Sequence, residues 1–195
     1  WAVINGETCS GVTTFLLKHE IDTGNLIFQE RVEIGPNMTA GELHDQLMYT
    51  GADLLVKTVE AMVAGDYPLQ DQVGLLAGRE PKHAPKIFKE DMKVDWTLGV
   101  DAIFNHIRGL SPFPTAWTEF RNKKNGEVVS LKIFETERII KDHGKDVGLS
   151  TDNKTYLDVL VEGGVIRIKE LQLSGKKRMK TEEFLRGFHI EDYSL

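Results

Sequence analysis

Two adjacent stretches, Ser10-Gly11-Val12-Thr13-Thr14-Phe15-Leu16-Leu17 and Ile21-Asp22-Thr23-Gly24-Asn25-Leu26-Ile27, decide the fold. The first is apolar and β-branched, which predicts a buried strand. The second places the carboxylate of Asp22 and the glycine Gly24 just past the end of that strand. Ligands of open α/β sheets bind outside the carboxyl ends of strands, so we expect Asp22 to lie where chemistry takes place. The alternative is a turn aspartate that caps its own backbone.

The composition indicates a globular protein with a packed core. The 195 residues are 41% hydrophobic and 28% charged, which allows one large or two small domains. No apolar run approaches the roughly 20 residues of a membrane span, and no leader pattern is visible, so we expect a cytoplasmic protein. The only cysteine, Cys9, cannot form an internal disulfide and is interpreted as structural.

The charge is acidic overall and unevenly distributed. The net charge is −6; residues 1–90 hold 7 basic and 13 acidic side chains, and residues 91–195 hold 17 of each. Neither half is therefore a basic nucleic-acid domain by bulk charge. The segment 167–186 is an exception, with seven basic and three acidic residues.

The first part of the chain has a helical pattern. Trp1–Gly6 resembles the end of an amphipathic helix, which suggests a chain cut from a longer protein. Thr39 and Glu42 fit a capping box, and Gly65 is the expected end of the helix that follows. Its apolar residues fall broadly along one face with a period of about 3.6: Leu43, Leu47, Leu54, Leu55, Val59 and Met62.

The second part of the chain has the pattern of a small barrel. Residues 66–84, which contain Pro68, Gly74, Gly78 and Pro81, are the predicted linker. A helix should begin after Asp95-Trp96-Thr97 and stop at Gly109 and Pro112, and a short helix should start at Thr181. Gly163-Gly164 fits a two-residue hairpin loop. Five short strands are predicted between these helices and favour an OB-like barrel: 116–121, 128–137, 146–150, 155–161 and 165–173.

The chain resembles the methionyl-tRNA formyltransferases over nearly its whole length. The motifs occur in the order of that family: Trp1–Gly6 (WAVING), 10–13 (SGVT), 22–24 (DTG), 39–47 (TAGELHDQL), 51–54 (GADL), 84–90 (APKIFKE), 95–96 (DW), 107–114 (IRGLSPFP), 116–118 (AWT) and 175–179 (GKKRM). The resemblance implies an α/β, Rossmann-like formyltransferase fragment at 1–65, a linker at 66–84, and a small OB-like β-barrel domain at 85–195 that binds tRNA.

The resemblance also implies a reaction. Family members move a formyl group from 10-formyltetrahydrofolate, as donor substrate, to the amino group of methionyl initiator tRNA. Their catalytic set is an Asn, a His and an Asp, and only the Asp carries over, onto Asp22; the His-containing motif is absent from this sequence. A carboxylate near a histidine favours its charged form and can relay protons during amine attack on the formyl carbon. We therefore expect this chain alone to be inactive.

Further sites follow from the same resemblance. The loop before Asp22 lines the pterin pocket in the family, which points to Lys18, His19, Glu20 and Ile21 as folate contacts; a solvated loop is the alternative. The basic turn with Lys176, Lys177, Arg178 and Lys180 suits RNA phosphates, although such clusters are also ordinary surface. The family implies a monomer that uses no metal and no membrane.

Several residues have plainer interpretations. Arg108 either joins the basic surface or complements its helix dipole. The aromatic residues Phe113, Trp117, Phe120 and Phe134 are expected in the core rather than in a base-stacking sheet.

The six histidines show no metal-like spacing. His44 is expected in solvent beside Asp45, and a His19–Asp22 dyad is a minor possibility. Two other functions stay open: an amino-sugar or related formyltransferase, and a non-catalytic RNA-binding module.

Overall fold

The computed structural model describes residues 1–76 and 80–195, which form two compact units. Unit 1 comprises Trp1–Gly6, Asn37–Gly41 and Lys86–Leu195, and unit 2 comprises Glu7–Pro36 and Glu42–Pro85. Each unit is therefore built from segments that are separated in sequence. The helix that begins at residue 40 has its first two residues in unit 1 and the rest in unit 2.

Unit 2 contains a two-stranded antiparallel sheet. Strands β1 (Cys9–Phe15) and β2 (Leu26–Glu33) pair with Val12 opposite Glu30. The expectation that the first strand is buried is wrong, because every residue of β1 is half-buried or exposed. A strand that pairs with one neighbour and packs on one helix cannot bury both of its faces.

Helix α1 (Ala40–Ala64) confirms the predicted helix and its end, since Gly65 has a φ of +73°. The apolar residues of the helix differ in burial: α1 buries Leu43, Leu54 and Thr58, while Leu55, Val59 and Met62 are exposed. The face turned toward β1 is instead marked by the hydroxyl of Thr58, which lies 2.9 Å from that of Thr14.

Part of the predicted linker is ordered within unit 2. The backbone of Gln70 exchanges two hydrogen bonds with Leu26, of 2.8 and 2.9 Å, and helix α2 (Gln72–Leu76) follows. Residues 77–79, which include Gly78, lie outside the described residues.

Unit 1 begins with one hydrogen-bonded turn, in which Asn5 N–H donates to Trp1 C=O at 2.8 Å, rather than with a regular helix. Its main helix, α3 (Val100–Gly109), starts later than the sequence suggests. The side chain of Asp95 instead forms a local turn by accepting hydrogen bonds from the N–H and hydroxyl of Thr97.

The rest of unit 1 is an antiparallel sheet with the order β5-β6-β7-β4-β3-β9, and β8 pairs with β7. The five predicted strands are confirmed with shifted ends. The hairpin loop between β6 and β7 is Glu162-Gly163, one residue earlier than predicted, because Gly164 already pairs with Val161. The strands are β3 (Ala116–Asn122), β4 (Val128–Ile140), β5 (Gly148–Thr151), β6 (Leu157–Val161), β7 (Gly164–Leu173), β8 (Met179–Lys180) and β9 (Tyr193–Ser194).

The sheet curls into a nearly closed barrel around one core. A short 3-10 helix, Ile190–Asp192, leads into β9, and its Glu191 accepts a hydrogen bond from the Asn153 side chain beyond β5, so the two edges approach each other. Helix α4 (Thr181–Leu185) confirms the predicted short helix. The core consists of apolar side chains from α3 and the strands, among them Ile103, Ile107, Phe120, Leu131, Ile133, Leu157, Ile166 and Ile168.

No helix within residues 1–76 and 80–195 has both the length and the apolar character needed to cross a bilayer.

Candidate functional site

Asp22 lies in a tight turn between β1 and β2. Its φ is +58°, in the left-handed region that aspartate tolerates better than most residues. The Thr23 hydroxyl donates to Glu20 C=O at 3.0 Å and closes the turn. The Asp22 side chain is exposed and lines neither of the two pockets described below.

The turn is held by a residue fifty positions away. The side-chain amide of Gln72, at the start of α2, donates to Asp22 C=O at 2.9 Å and to Gly24 C=O at 2.6 Å. Gly24 itself is buried, and a Cβ there would overlap Leu16 C=O. The carboxylate therefore projects from a backbone that is fixed from both sides. Neither composition nor periodicity signals Gln72, since the contact depends on the path of the chain after α1.

The four residues expected to contact folate precede Asp22 in the same loop. Lys18 Nζ donates to Asn25 Oδ1 at 3.1 Å, which ties the two ends of the loop together. His19, Glu20 and Ile21 are exposed, and Ile21 is 87% exposed. Within the described residues no hydrogen bond or ion pair joins His19 to Asp22.

The predicted basic turn lies in unit 1, between β7 and β8, and Gly175 opens it with a φ of +74°. Its four cations differ in what they contact. Arg178 pairs with Glu170, and its guanidinium lies 4.3 Å from the centroid of the Phe134 ring. Lys177 Nζ lies 3.3 Å from Glu183 Oε1. Lys176 and Lys180 are exposed and have no ion pair in the described part of the chain.

Arg108 does not belong to this basic surface. It is buried on α3, and its guanidinium donates to Asn105 Oδ1 at 2.8 Å and to Met38 C=O at 2.6 Å. Burial, together with the charge of Arg138, lowers the pKa of Arg108. The side chain therefore connects α3 to the segment that precedes α1. It also lies in the last turn of α3, where a positive charge complements the helix dipole, which is one of the two predicted roles.

Of the four aromatic residues expected in the core, only Phe120 is fully buried. Phe113 lies in a loop between two prolines and is 84% exposed, so a strand pattern does not apply to it. Trp117 is half-buried on β3, with its indole N–H donating to Lys89 C=O at 2.9 Å and Lys93 Nζ 5.1 Å from the ring centroid.

Among the pockets formed by the described residues, two lie in unit 1. The larger, of about 510 Å³, adjoins α3 and β4 and mixes the cations of Arg108, Arg138 and Lys169 with the carboxylates of Glu135 and Glu137. The smaller, of about 250 Å³, lies beside the basic turn, and no acidic side chain lines it. Among the described residues, no group of three or more His, Cys, Asp or Glu side chains could hold a metal ion. The sequence predicts His44 in solvent, and it is exposed, 3.2 Å from the carboxylate of Asp45.

Comparison with known proteins identifies the family. A family model described as "Formyl transferase, C-terminal domain" matches residues 86–189, and one described as "Formyl transferase" matches residues 1–59. A protein of Phocaeicola vulgatus named methionyl-tRNA formyltransferase is 48% identical over 194 residues, which cover 98% of this chain and 60% of that protein. The chain thus spans about 60% of the length of the relatives that it matches.

Solved structures show the same fold. An N-formyltransferase from Helicobacter canadensis, in complex with folinic acid and dTDP-3-aminofucose, matches 91% of this chain and 59% of its own, with a TM-score of 0.64 and 20% identity. HypX from Aquifex aeolicus, in complex with tetrahydrofolic acid, matches 100% of this chain and 35% of its own, with a TM-score of 0.63 and 17% identity. Because the family model for the C-terminal domain matches more than half of the chain and a second model matches residues 1–59, the chain belongs to the formyl transferase family.

Proposed function

We propose that the protein carrying this chain transfers a formyl group from 10-formyltetrahydrofolate to the amino group of methionyl initiator tRNA. The observation that carries the proposal is the Asp22 turn, an accessible carboxylate on a backbone fixed by Gln72 and by the close packing of Gly24. The relatives at up to 48% identity carry the name methionyl-tRNA formyltransferase, which favours this acceptor.

The proposed chemistry is acyl transfer through a tetrahedral intermediate. Asp22 favours the charged form of a nearby histidine and relays the proton that the attacking amine loses to N10 of tetrahydrofolate, which departs as its bond to the formyl carbon breaks. Donors such as an imidazolium and a carboxamide stabilise the oxyanion, each by about 10²–10³ in rate. The histidine motif of the family is absent from this sequence, so these donors belong to the remaining part of the relatives' length.

The proposed layout is a Rossmann-like catalytic part at 1–65, a linker at 66–84, and an OB-like tRNA-binding domain at 85–195. Folate lies against Lys18, His19, Glu20 and Ile21, and two of the structural relatives were solved with folate compounds. The tRNA backbone is contacted by the basic turn, with Lys176 and Lys180 most available and Lys177 and Arg178 partly occupied by Glu183 and Glu170.

The test is formylation of methionyl-tRNA by the full-length protein and its Asp22→Asn variant. We expect kcat/KM to fall by about 10²–10⁴, because proton transfer by a positioned group contributes that much. Asp66→Asn, at another exposed aspartate of unit 2, is the matched control and should leave kcat/KM unchanged. Equal activity of the Asp22→Asn variant and the wild type would refute the role of Asp22.

The acceptor is tested separately. The sugar formyltransferase from Helicobacter canadensis shares the fold, so the full-length protein should be offered methionyl-tRNA and a panel of amino sugars. A preference for an amino sugar would reject the tRNA assignment and keep formyl transfer. Tight tRNA binding without any transfer would identify a binding module instead.

A further inference from the structure

The smaller pocket of unit 1 has the composition of an anion site. It measures about 250 Å³ and lies between the ends of β4 and β7, beside the basic turn. Backbone pairing between β4 and β7 fixes the positions of the lining residues. Lys132 pairs with Gln172, and Ser174 N–H donates to Ser130 C=O at 3.1 Å. It is lined by Ser130, Lys132, Gln172, Leu173, Ser174 and Gly175.

The lining offers several donors that the described residues leave unused. Lys132 is exposed and has no ion pair or hydrogen bond through its ammonium group within residues 1–76 and 80–195. The hydroxyls of Ser130 and Ser174, and the N–H of Gly175, likewise have no partner in that part of the chain. One ammonium, two hydroxyls and one backbone N–H are the kinds of group that bind phosphate oxygens in nucleic-acid complexes.

The surrounding charges favour an anion. No carboxylate lines the pocket, and Lys176 follows Gly175 directly. An acidic residue on the neighbouring strand is Glu119, which pairs with Ser130 across β3 and β4. Its charge is balanced by Lys93, whose Nζ lies 2.6 Å from the carboxylate. Uncompensated positive charge therefore remains at Lys132 and Lys176.

An aromatic ring lies beside the pocket. Trp117 pairs directly with Lys132, so the two side chains share one face of the sheet. The Nζ atoms of Lys93 and Lys89 lie 5.1 and 5.9 Å from the centroid of the Trp117 ring. A nucleic-acid strand that placed a phosphate at Lys132 would thus meet an aromatic side chain and the ammonium group of Lys89 along β3, while the charge of Lys93 is already balanced by Glu119.

We propose that this pocket binds a phosphate group, and that in the working protein the group is a backbone phosphodiester of the RNA substrate. Lys132 supplies the charge, and Ser130, Ser174 and Gly175 supply hydrogen bonds. The second half of this inference rests on the proposed RNA substrate; the first half does not. The pocket extends the predicted basic turn toward β4, where Lys132 was not among the expected contacts.

The first experiment measures tRNA binding by the full-length protein as a function of salt concentration. Each phosphate contact contributes about −0.9 to the slope of log K against log salt. Lys132→Met should reduce the magnitude of the slope by about one and weaken binding several-fold at low salt. Lys141→Met removes the same charge just past the other end of β4, outside the pocket lining, and should change neither quantity.

The second experiment uses inorganic phosphate as the probe and amide NMR of the full-length protein as the readout. Phosphate should shift the amide signals of Ser130, Ser174 and Gly175, and Lys132→Met should abolish the shifts while Lys141→Met keeps them. Phosphate shifts together with unchanged tRNA slopes would mean a site for a free phosphate compound, which overturns the RNA assignment. Absence of both effects overturns the site altogether.

The two proposals fail in different ways. If the full-length protein formylates methionyl-tRNA but Lys132→Met behaves like Lys141→Met in both experiments, only the pocket is rejected. If the protein does not bind tRNA, the proposed function fails, and the phosphate titration still decides whether the pocket is an anion site.

Discussion

His106, on α3, has a buried Nε2 without a hydrogen-bond partner among the described residues. Burial lowers the pKa of His106, although the backbone of Met92 and the charge of Asp91 act in the opposite direction. The folded protein therefore favours the neutral imidazole more than the unfolded chain does. A free histidine has a pKa of about 6.5, so the unfolded chain binds this proton more readily than the folded one.

The sign of the pH dependence follows from that difference. Well above the unfolded pKa of about 6.5, His106 is neutral in both states and contributes no pH dependence. Below it, the unfolded state takes up the proton first, so the free energy of unfolding falls as pH falls toward the lower folded pKa. We expect urea denaturation at pH 7.5 and 5.5 to show a smaller loss of stability in His106→Gln than in the wild type.

His44→Gln is the control for that measurement, because His44 is exposed on α1. It should show the same loss between the two pH values as the wild type. Identical pH dependence of His106→Gln and the wild type would contradict the interpretation of a neutral, buried imidazole.

At this scale the sequence identified residues whose role depends on local chemistry and missed those that act at a distance. Asp22 stood out because aspartate and glycine are typical of turns after strands. Gln72 could not be found, since nothing in residues 66–84 marks a side chain that bonds to Asp22 and Gly24. The lysine of the small pocket, Lys132, looked like any outward residue of an alternating strand.

Helix α2 acts on the turn before β2 through one side chain. Replacing Gln72 by Glu removes both donated hydrogen bonds and places a carboxylate against the carbonyls of Asp22 and Gly24. We expect the turn to open more often, so that trypsin cleaves after the exposed Lys18 several-fold faster than in the wild type. The measurement is the rate of appearance of that fragment under native conditions.

Gln70→Glu is the matched control, since the side chain of Gln70 is exposed and only its backbone pairs with Leu26. It makes the same charge change two residues away and should leave the cleavage rate unaltered. In the full-length protein, Gln72→Glu should lower kcat but have little further effect in an Asp22→Asn background. Independent, additive losses would mean that Gln72 does not act through Asp22.

Strands β6 and β7 are joined by a cross-strand ion pair. Asp158, 7% exposed, faces Arg167, which donates from Nε and NH2 to its two carboxylate oxygens at 2.8 and 2.9 Å. The pKa of Arg167 is raised by its hydrogen bond to Asp158. Asp158→Ala removes the carboxylate that accepts both hydrogen bonds of the guanidinium and leaves only the more distant charge of Glu137. We expect a loss of about 2 kcal/mol in the free energy of unfolding, reduced from the fully buried case because Arg167 is partly exposed.

Asp101→Ala is the comparison for that pair. It removes the exposed partner of Arg138 and should cost less than about 1 kcal/mol. Equal losses in the two variants, measured by urea denaturation, would show that burial does not strengthen the Asp158–Arg167 pair.

The elements themselves were largely predictable, because α1 and the barrel strands have clear periodicity and turn residues. Their burial was not. The apolar residues of α1 follow a helical period, yet Leu55, Val59 and Met62 are exposed, because periodicity does not say what lies opposite a face. The start of α3 was misplaced for a local reason, since Asp95 bonds to Thr97 instead of capping the helix.

Over the whole molecule, the two parts of the chain differ in their balance of charge. Residues 1–90 carry 7 basic against 13 acidic side chains, and residues 91–195 carry 17 of each. Since RNA affinity depends on locally uncompensated cations, the proposed contacts belong to the barrel. We expect ultraviolet crosslinks between the full-length protein and tRNA to fall in unit 1, near Trp117 and the basic turn, and mass spectrometry of the crosslinked peptides checks this. Crosslinks confined to α1 would contradict it.

The burial of Gly24 has a consequence for experiments on this loop. Even one methyl group at that position would collide with the Leu16 carbonyl oxygen, so Gly24→Ala must push the neighbouring carboxylate out of place without altering any charge. Gly24→Ala and Asp22→Asn therefore separate geometry from electrostatics. If both variants lose activity to a similar extent, the location of the Asp22 carboxylate matters as much as its negative charge.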